Sequence, residues 1–267
     1  MLLLGDKEFG IVDYSGLEAP EYEYDTEKRR SGYGSVIRNR RISEREITIT
    51  AEYRSRRDGK EEAREHVQQF FRPYTSGNLT IRRGERERNI DYEISEFLSK
   101  NMNIHDRFQF QVTLLCPDPA LLSAECTGNV TTWIGGLHFP FKLPFRFRYR
   151  GDSYTTIMNN GNMETPVLIQ FYGPAINPVI RNESTGEFVK VNCSLKEGEV
   201  LEINTDFGAK SVIRRTGVKS ENLNHVLDLT SRFFWLQLGK NVMSYSSDNK
   251  AQRNKVLISY HERYLGI

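Results

Sequence analysis

Residues 159–187 read NNGNMETPVLIQFYGPAINPVIRNESTGE, with Asn, Gly or Pro recurring every few positions around short apolar runs. A helix of ordinary length cannot form across so many turn formers, whereas short strands joined by tight turns can. The same pattern continues beyond this stretch. TPVLIQFYG, PVIRNESTGEFVKV, EGEVLEIN and KSVIRR are strand-like runs spaced by Asn, Gly and Ser. The second half of the chain is therefore predicted to be an antiparallel sandwich of many short strands.

The first half alternates differently. In REITITAEY, Ile47, Ile49, Ala51 and Tyr53 alternate with polar residues, and in RFQFQVTLL Phe108, Phe110, Val112 and Leu114 do the same. Each is a strand with one dry face. Between them the period changes. Ala63, Val67, Phe70 and Phe71 fall on one helical stripe, Asp58 with Glu61 offers a capping box, and Pro73 ends the run. One amphipathic helix on a sheet follows. LTIRRGERERNIDYEIS then predicts a hairpin arm turning near Gly84, with Ile90, Tyr92 and Ile94 alternating on the return. Two prolines and a Gly in CPDPALLSAECTGN, with no clear period, set the expected domain boundary: residues 1–125 and 126–267.

The run HFPFKLPFRFRYR, from His138, alternates six apolar side chains with Pro, Lys and Arg. Exposed aromatics among cations could stack on bases, but a strict period of two puts all six on one face, as in a core strand. Pro140 and Pro144 then place it at a sheet edge or a domain junction.

Composition removes several function classes. Of the 267 residues, 37 are basic and 35 acidic, so the whole-chain charge of +2 lacks the footprint of a nucleic-acid binder. The arginines of 38–57 and of RRGERER are mixed with glutamates, which suits a solvated or subunit-contacting face. No apolar run is long enough to cross a bilayer, and the opening MLLLGDKE has too short an apolar core for a secretion signal. The chain reads as made in a cytoplasm. Cys116, Cys126 and Cys193 are odd in number and widely separated, which reads as reduced thiols, partly buried, with neither a disulfide framework nor a zinc knuckle. Four N-x-S/T matches, at Asn78, Asn129, Asn182 and Asn192, would matter only in a secretory pathway.

Catalytic groupings are not evident. His66, His105, His138, His225 and His261 are scattered without metal-ligand spacing, and no nucleophile elbow or phosphate-binding glycine loop occurs. Glu197 and Glu199 flank Gly198 in a tight turn, Glu202 and Asp206 lie along a strand and its exit, and Asp118 between two prolines is a turn former. The chain is expected to be no enzyme and to need neither cofactor nor metal.

Taken in order, MLLLGDKEFGIVDYSGLEAPEYEYD, LHFPFKLPF, NNGNMETPVLIQFYGPAINPVIRNESTGE, LKEGEVLEINTD, LDLTSRFFWLQLGKN and ISYHERYLGI resemble the distal tail proteins of long-tailed bacteriophages and prophages. The most specific parts are N-x-G-N-x-x-T-P at 159–166, N-P-x-I-x-N-x-x-T-G at 177–186 and L-x-x-G-x-N at 236–241. The resemblance covers nearly the whole chain. It implies a mainly β subunit of a tail-tip hub, located in the virion. Its amino-terminal domain, β-sandwich-like with a helix and a hairpin, would join five copies of itself in a hexameric ring around the tail channel. Its carboxy-terminal domain would be a sandwich like that of galectins or carbohydrate-binding modules. The implied partners are the tail tube protein, the tip protein and the receptor-binding apparatus.

Head-to-tail ring contacts are expected at the hairpin near Gly84, with Arg82, Arg83, Arg86 and Arg88 as interface residues. An alternative reading is a glycan-binding module, with Trp133 and Tyr172 as an aromatic platform. The galectin patterns H-x-N-P-R and W-G-x-E are not matched, since INPVIRN lacks the His and Trp133 precedes Ile134 and Gly135. Trp133 and Trp235 therefore read first as packing residues. Contact with DNA in the channel is a third reading, opposed by the near-neutral charge.

Overall fold

A computed structural model of the chain describes residues 2–54, 59–100, 107–131, 153–248 and 255–267. It divides into two compact units, the first made of Met1–Leu122 and Tyr264–Ile267 and the second of Ser123–Arg263. The chain thus leaves unit 1 and comes back to it.

Unit 1 begins with β1 (Phe9–Ser15), then β2 (Tyr22–Lys28) and β3 (Ser35–Ile42), then β4 (Arg45–Tyr53). The single α-helix among the described residues, α1 (Lys60–Phe70), follows, and then β5 (Ser76–Arg83), β6 (Arg86–Lys100), β7 (Gln109–Cys116) and the start of β8 (Leu121–Thr131), most of which belongs to unit 2. Antiparallel pairing runs β1 to β4 to β7 to β6, and β5 pairs with β6. The alternation seen in the sequence sets this register: Ile47 faces Leu114, Ile49 faces Val112 and Ala51 faces Phe110. All six are buried and join Ala63 and Val67 of α1 and Phe71 in one apolar core. The helix starts differently from expectation. Its N-cap is Gly59, in the left-handed region at φ 78°, with no side-chain cap bond; Asp58 lies outside the described residues.

Unit 2 contains β9 (Ser153–Asn159), β10 (Leu168–Tyr172), β11 (Ala175–Ile176), β12 (Val179–Asn182), β13 (Phe188–Lys190) and β14 (Ser194–Leu195). It continues with β15 (Glu199–Asn204), β16 (Ser211–Thr216), β17 (Lys219–Asn222), β18 (Gly239–Ser246) and β19 (Lys255–Tyr264), the last of which ends at the return to unit 1. One sheet has the order β13-β12-β18-β9, and the other runs β19-β10-β15-β16-β17. The core fills from both: Ile157, Ile180, Val189 and Met243 on one side, Ile169, Phe171, Leu201 and Val256 on the other. This is a β-sandwich. The run 138–150 and Trp133 lie outside the described residues.

The three sequence patterns singled out in this half are cross-linked by their asparagines. Buried Asn159 donates from Nδ2 to Met163 O at 2.9 Å and Leu236 O at 3.3 Å, and accepts from the Gly161 N–H at 3.0 Å. Asn182 and Asn241, both fully buried, bond to each other and to the turns beside them. Buried amides must be satisfied, and here each satisfies a turn.

Candidate assembly surfaces

β2 and β3 form a two-stranded ribbon that pairs with no other strand among the described residues. Its turn is made by Gly32 and Gly34, both at φ 87°, with the Arg29 N–H donating to Gly34 O. Opposed residues share a face, so Tyr22/Ile42, Tyr24/Arg40, Thr26/Ile37 and Lys28/Ser35 project one way. Glu23/Arg41, Asp25/Asn39 and Glu27/Val36 project the other way, and a bulge accommodates Arg38, which pairs with Glu27. One face thus groups Tyr22, Tyr24, Ile37 and Ile42, with Arg40 among them and Lys28 at its margin, and the other is mostly charged.

No residue of the ribbon is buried. On the apolar face Tyr24 is 54% exposed, Tyr22 49%, Ile37 46% and Ile42 37%. An isolated two-stranded ribbon is marginal in water. Among the described residues of unit 1, the exposed large apolar side chains lie between Leu3 and Ile42, apart from Tyr74 and Leu98. Contact surfaces carry exposed apolar side chains of this kind.

The ribbon is free at its tip and fixed at its root. The Ser43 N–H donates to Glu21 O at 3.1 Å. Next to it Arg45, only 2% exposed, donates from Nη1 to Gly16 O at 2.8 Å and Glu18 O at 2.5 Å. The same guanidinium reaches Pro119 O through Nε at 2.9 Å and Leu265 O through Nη2 at 2.6 Å. Burial pulls the Arg45 pKa down, and the four carbonyl bonds offset that desolvation.

The hairpin predicted near Gly84 is present: β5 pairs with β6 and Gly84 sits at φ 62°. Its four arginines are placed differently from one another. Arg82 pairs across the hairpin with Glu87 at 2.8 Å, and Arg88 stacks over the Tyr264 ring at 3.8 Å. Arg83 and Arg86 face each other beside the turn and, with Glu85 and Ile267, line a shallow concavity of about 390 Å³.

Unit 2 carries a hydrogen-bonded patch around Gln170 and Glu202. Gln170 Nε2 donates to Glu202 Oε1 at 2.9 Å, and Arg215 pairs with the other carboxylate oxygen of Glu202. Tyr172 is half-buried, with Lys255 Nζ 5.0 Å from its ring centre. Half-buried Trp235 donates its indole N–H to Thr205 O at 2.8 Å, a packing arrangement. Asp118 accepts from the Ala120 N–H at 3.1 Å, as a turn former does. Cys116, Cys126 and Cys193 are free, and burial pushes the Cys116 thiol up to about 11. Among the described residues no group of His, Cys, Asp and Glu could hold a metal ion, and none of their helices is long and apolar enough to cross a membrane. His105 and His138 lie outside the described residues.

The ribbon was missed by sequence reading, although its signal is there: Tyr22 and Tyr24 alternate with Glu23 and Asp25, and SGYGS is a turn. The bulge at Arg38 breaks the period on the return strand, and the charges of the opposite face mask an apolar face that has no core to fill.

Residues 160–264 match the family described as siphovirus-type tail component, C-terminal domain. Over nearly its whole length the chain is also similar to a solved structure, the Dit (gp 19.1) protein of SPP1, described as a paradigm of the hub adsorption apparatus in phages infecting Gram-positive hosts. The TM-score is 0.68 at 15% identity, covering 96% of this chain and 93% of that one. Chains of the phage P2 baseplate, solved in its activated conformation with Ca and with Sr, match with TM-scores of 0.51 and 0.50 at 12% identity, each covering 95% of this chain and 91% of that one. No curated protein matches the sequence.

Proposed function

We propose that this chain, whose residues 160–264 match the siphovirus-type tail component family and whose fold is similar to that of a distal tail protein, is the hub subunit of a phage tail tip. In this reading unit 1 joins copies of itself head to tail into a hexameric ring. The ring links the tail tube protein to the tip protein, and unit 2 faces the receptor-binding apparatus. The protein works in the virion as a structural component, without catalysis.

The observation that carries the proposal is the ribbon of β2 and β3, with an anchored root and an apolar face left bare. Burying such a face on a neighbour contributes about 1.5–3 kcal/mol for each large side chain fully covered. Closed rings need two different surfaces on each subunit, and the ribbon is one of them. Arg83 and Arg86, at the tip of the second hairpin, are proposed as further contacts, with Arg82 and Arg88 acting behind them through Glu87 and Tyr264.

The test is a pair of substitutions, Tyr24→Ser and Ile37→Asp, on side chains exposed in the single subunit. Both variants should fold as the parent does, because neither residue belongs to a core. They should run as monomers in light scattering where the parent assembles. Assembly of the doubly substituted chain at parental concentration would remove the ribbon from the interface.

A further inference from the structure

The root of the ribbon and the returning segment Tyr264–Ile267 meet on one guanidinium. Arg45 bonds to Gly16 and Glu18, which lead into β2, and also to Leu265, which stands 220 residues further along the chain. The returning segment touches the root a second time. A Cβ added at Gly266 would lie 3.6–3.8 Å from backbone atoms of Glu18 and Ala19, which is ordinary contact distance. The remaining residues of the segment are held on the other hairpin: Arg88 stacks on Tyr264, and Ile267 lines the concavity with Arg83 and Arg86. Tyr264 and Ile267 also pack against the apolar core of unit 1.

These contacts are interdependent. Arg45 is a buried cation whose recorded hydrogen-bond acceptors are all backbone carbonyls. Its charge is tolerated only while enough of those acceptors surround it. If Leu265 departs, the guanidinium loses one of four carbonyls and is opened to water, and its hold on Gly16 and Glu18 weakens. The reverse holds as well: an ordered root favours docking of the returning segment.

We propose that Arg45 and Tyr264–Ile267 form a latch that sets the direction of the ribbon, so that the assembly arm is fixed only once the chain has been made through unit 2 and has returned. The proposal rests on the reading of the ribbon as a subunit contact. Synthesis runs from the amino terminus, so residues 1–122 emerge with the arm present and its root incompletely held. Nascent neighbours on one message are crowded together, and an arm that is not yet set protects them from premature association. Arg45 is here a positioning residue, acting on the contact through the root.

Hydrogen exchange on the full-length protein, diluted until it is monomeric, tests the latch apart from any ring. Arg88→Ala and Tyr264→Ala each remove the stack that holds the returning segment on β6, well along the chain from the ribbon. Each should raise amide exchange in residues 17–44, the Ser43 amide included, by about ten-fold. Amides of 168–204 should keep parental rates. Unchanged exchange in 17–44 in both variants, with exchange in β6 raised, would overturn the latch. A parent chain that never assembles refutes the hub reading instead, and leaves this measurement intact.

Discussion

Asn182 Nδ2 donates to Asn241 Oδ1 at 3.1 Å, with both side chains fully buried between β12 and β18. The pair joins two turns. Asn182 accepts from the Ser184 N–H at 3.0 Å, while Asn241 accepts from the Gln237 N–H at 2.9 Å and donates to Gln237 O at 2.7 Å. Alanine at either position leaves buried partners unsatisfied, and about 2–4 kcal/mol of stability should be lost. Because the residues bond directly, the double variant should lose less than the sum of the two, by roughly 0.5–3 kcal/mol. Urea unfolding followed by circular dichroism measures both quantities.

Replacing Arg45 with Met keeps much of its volume and removes all four bonds to Gly16, Glu18, Pro119 and Leu265. Those carbonyls lose the guanidinium as a donor, and unit 1 should lose about 3–5 kcal/mol. Calorimetry should show a lowered transition for unit 1. Two transitions at parental temperatures would contradict this role for Arg45.

Gly16 is the glycine whose replacement should be least tolerated at the root. It sits at φ 83°, and a Cβ built there would lie 1.9 Å from Glu46 O, a backbone atom with no freedom to move aside. Gly16→Ala should cost more than the roughly 1 kcal/mol of an ordinary left-handed glycine. Gly84, also at positive φ but with nothing within 4 Å of its added Cβ, provides the control. Equal losses at the two sites, read from thermal midpoints, would show that the contact with Glu46 does not matter.

Cys116 should be slow to alkylate in the folded protein. It is fully buried, and desolvation raises its pKa from 9.0 to about 11, with Arg45 opposing and Asp91 assisting. A thiol whose folded value lies above its unfolded value keeps its proton longer when folded. Its contribution to stability is therefore complete below about pH 9 and is lost as pH rises towards about 11. Tyr92 and Tyr260 shift in the same direction by burial and add to the alkaline loss. Iodoacetamide at pH 8 should modify part-exposed Cys126 well before Cys116, and Cys116→Ala should flatten the stability curve between pH 9 and 11.

The parts of the fold that were legible in the sequence are those where one face is buried. Ile47, Ile49 and Ala51 opposite Leu114, Val112 and Phe110 follow from a period of two, and α1 follows from Ala63, Val67 and Phe71. The hairpin at Gly84 was legible because a positive φ needs Gly. The ribbon was not, because its apolar face fills no core within the chain, and single-chain periodicity reports only burial within the chain. The latch was not legible either. Nothing in the local sequence around Arg45 or Leu265 announces a bond that spans 220 residues. The turn motifs at 159–166, 177–186 and 236–241 stood out before their role was visible, and the structure gives that role as mutual cross-links of Asn159, Asn182, Asn241 and Leu236.

The most direct measurement is the mass of the purified full-length protein by native mass spectrometry, over a range of concentrations and again with tail tube protein added. The account predicts a closed species of six subunits that dissociates when Tyr24 and Ile37 are replaced together. A parent chain that remains a single subunit under every one of these conditions would contradict it.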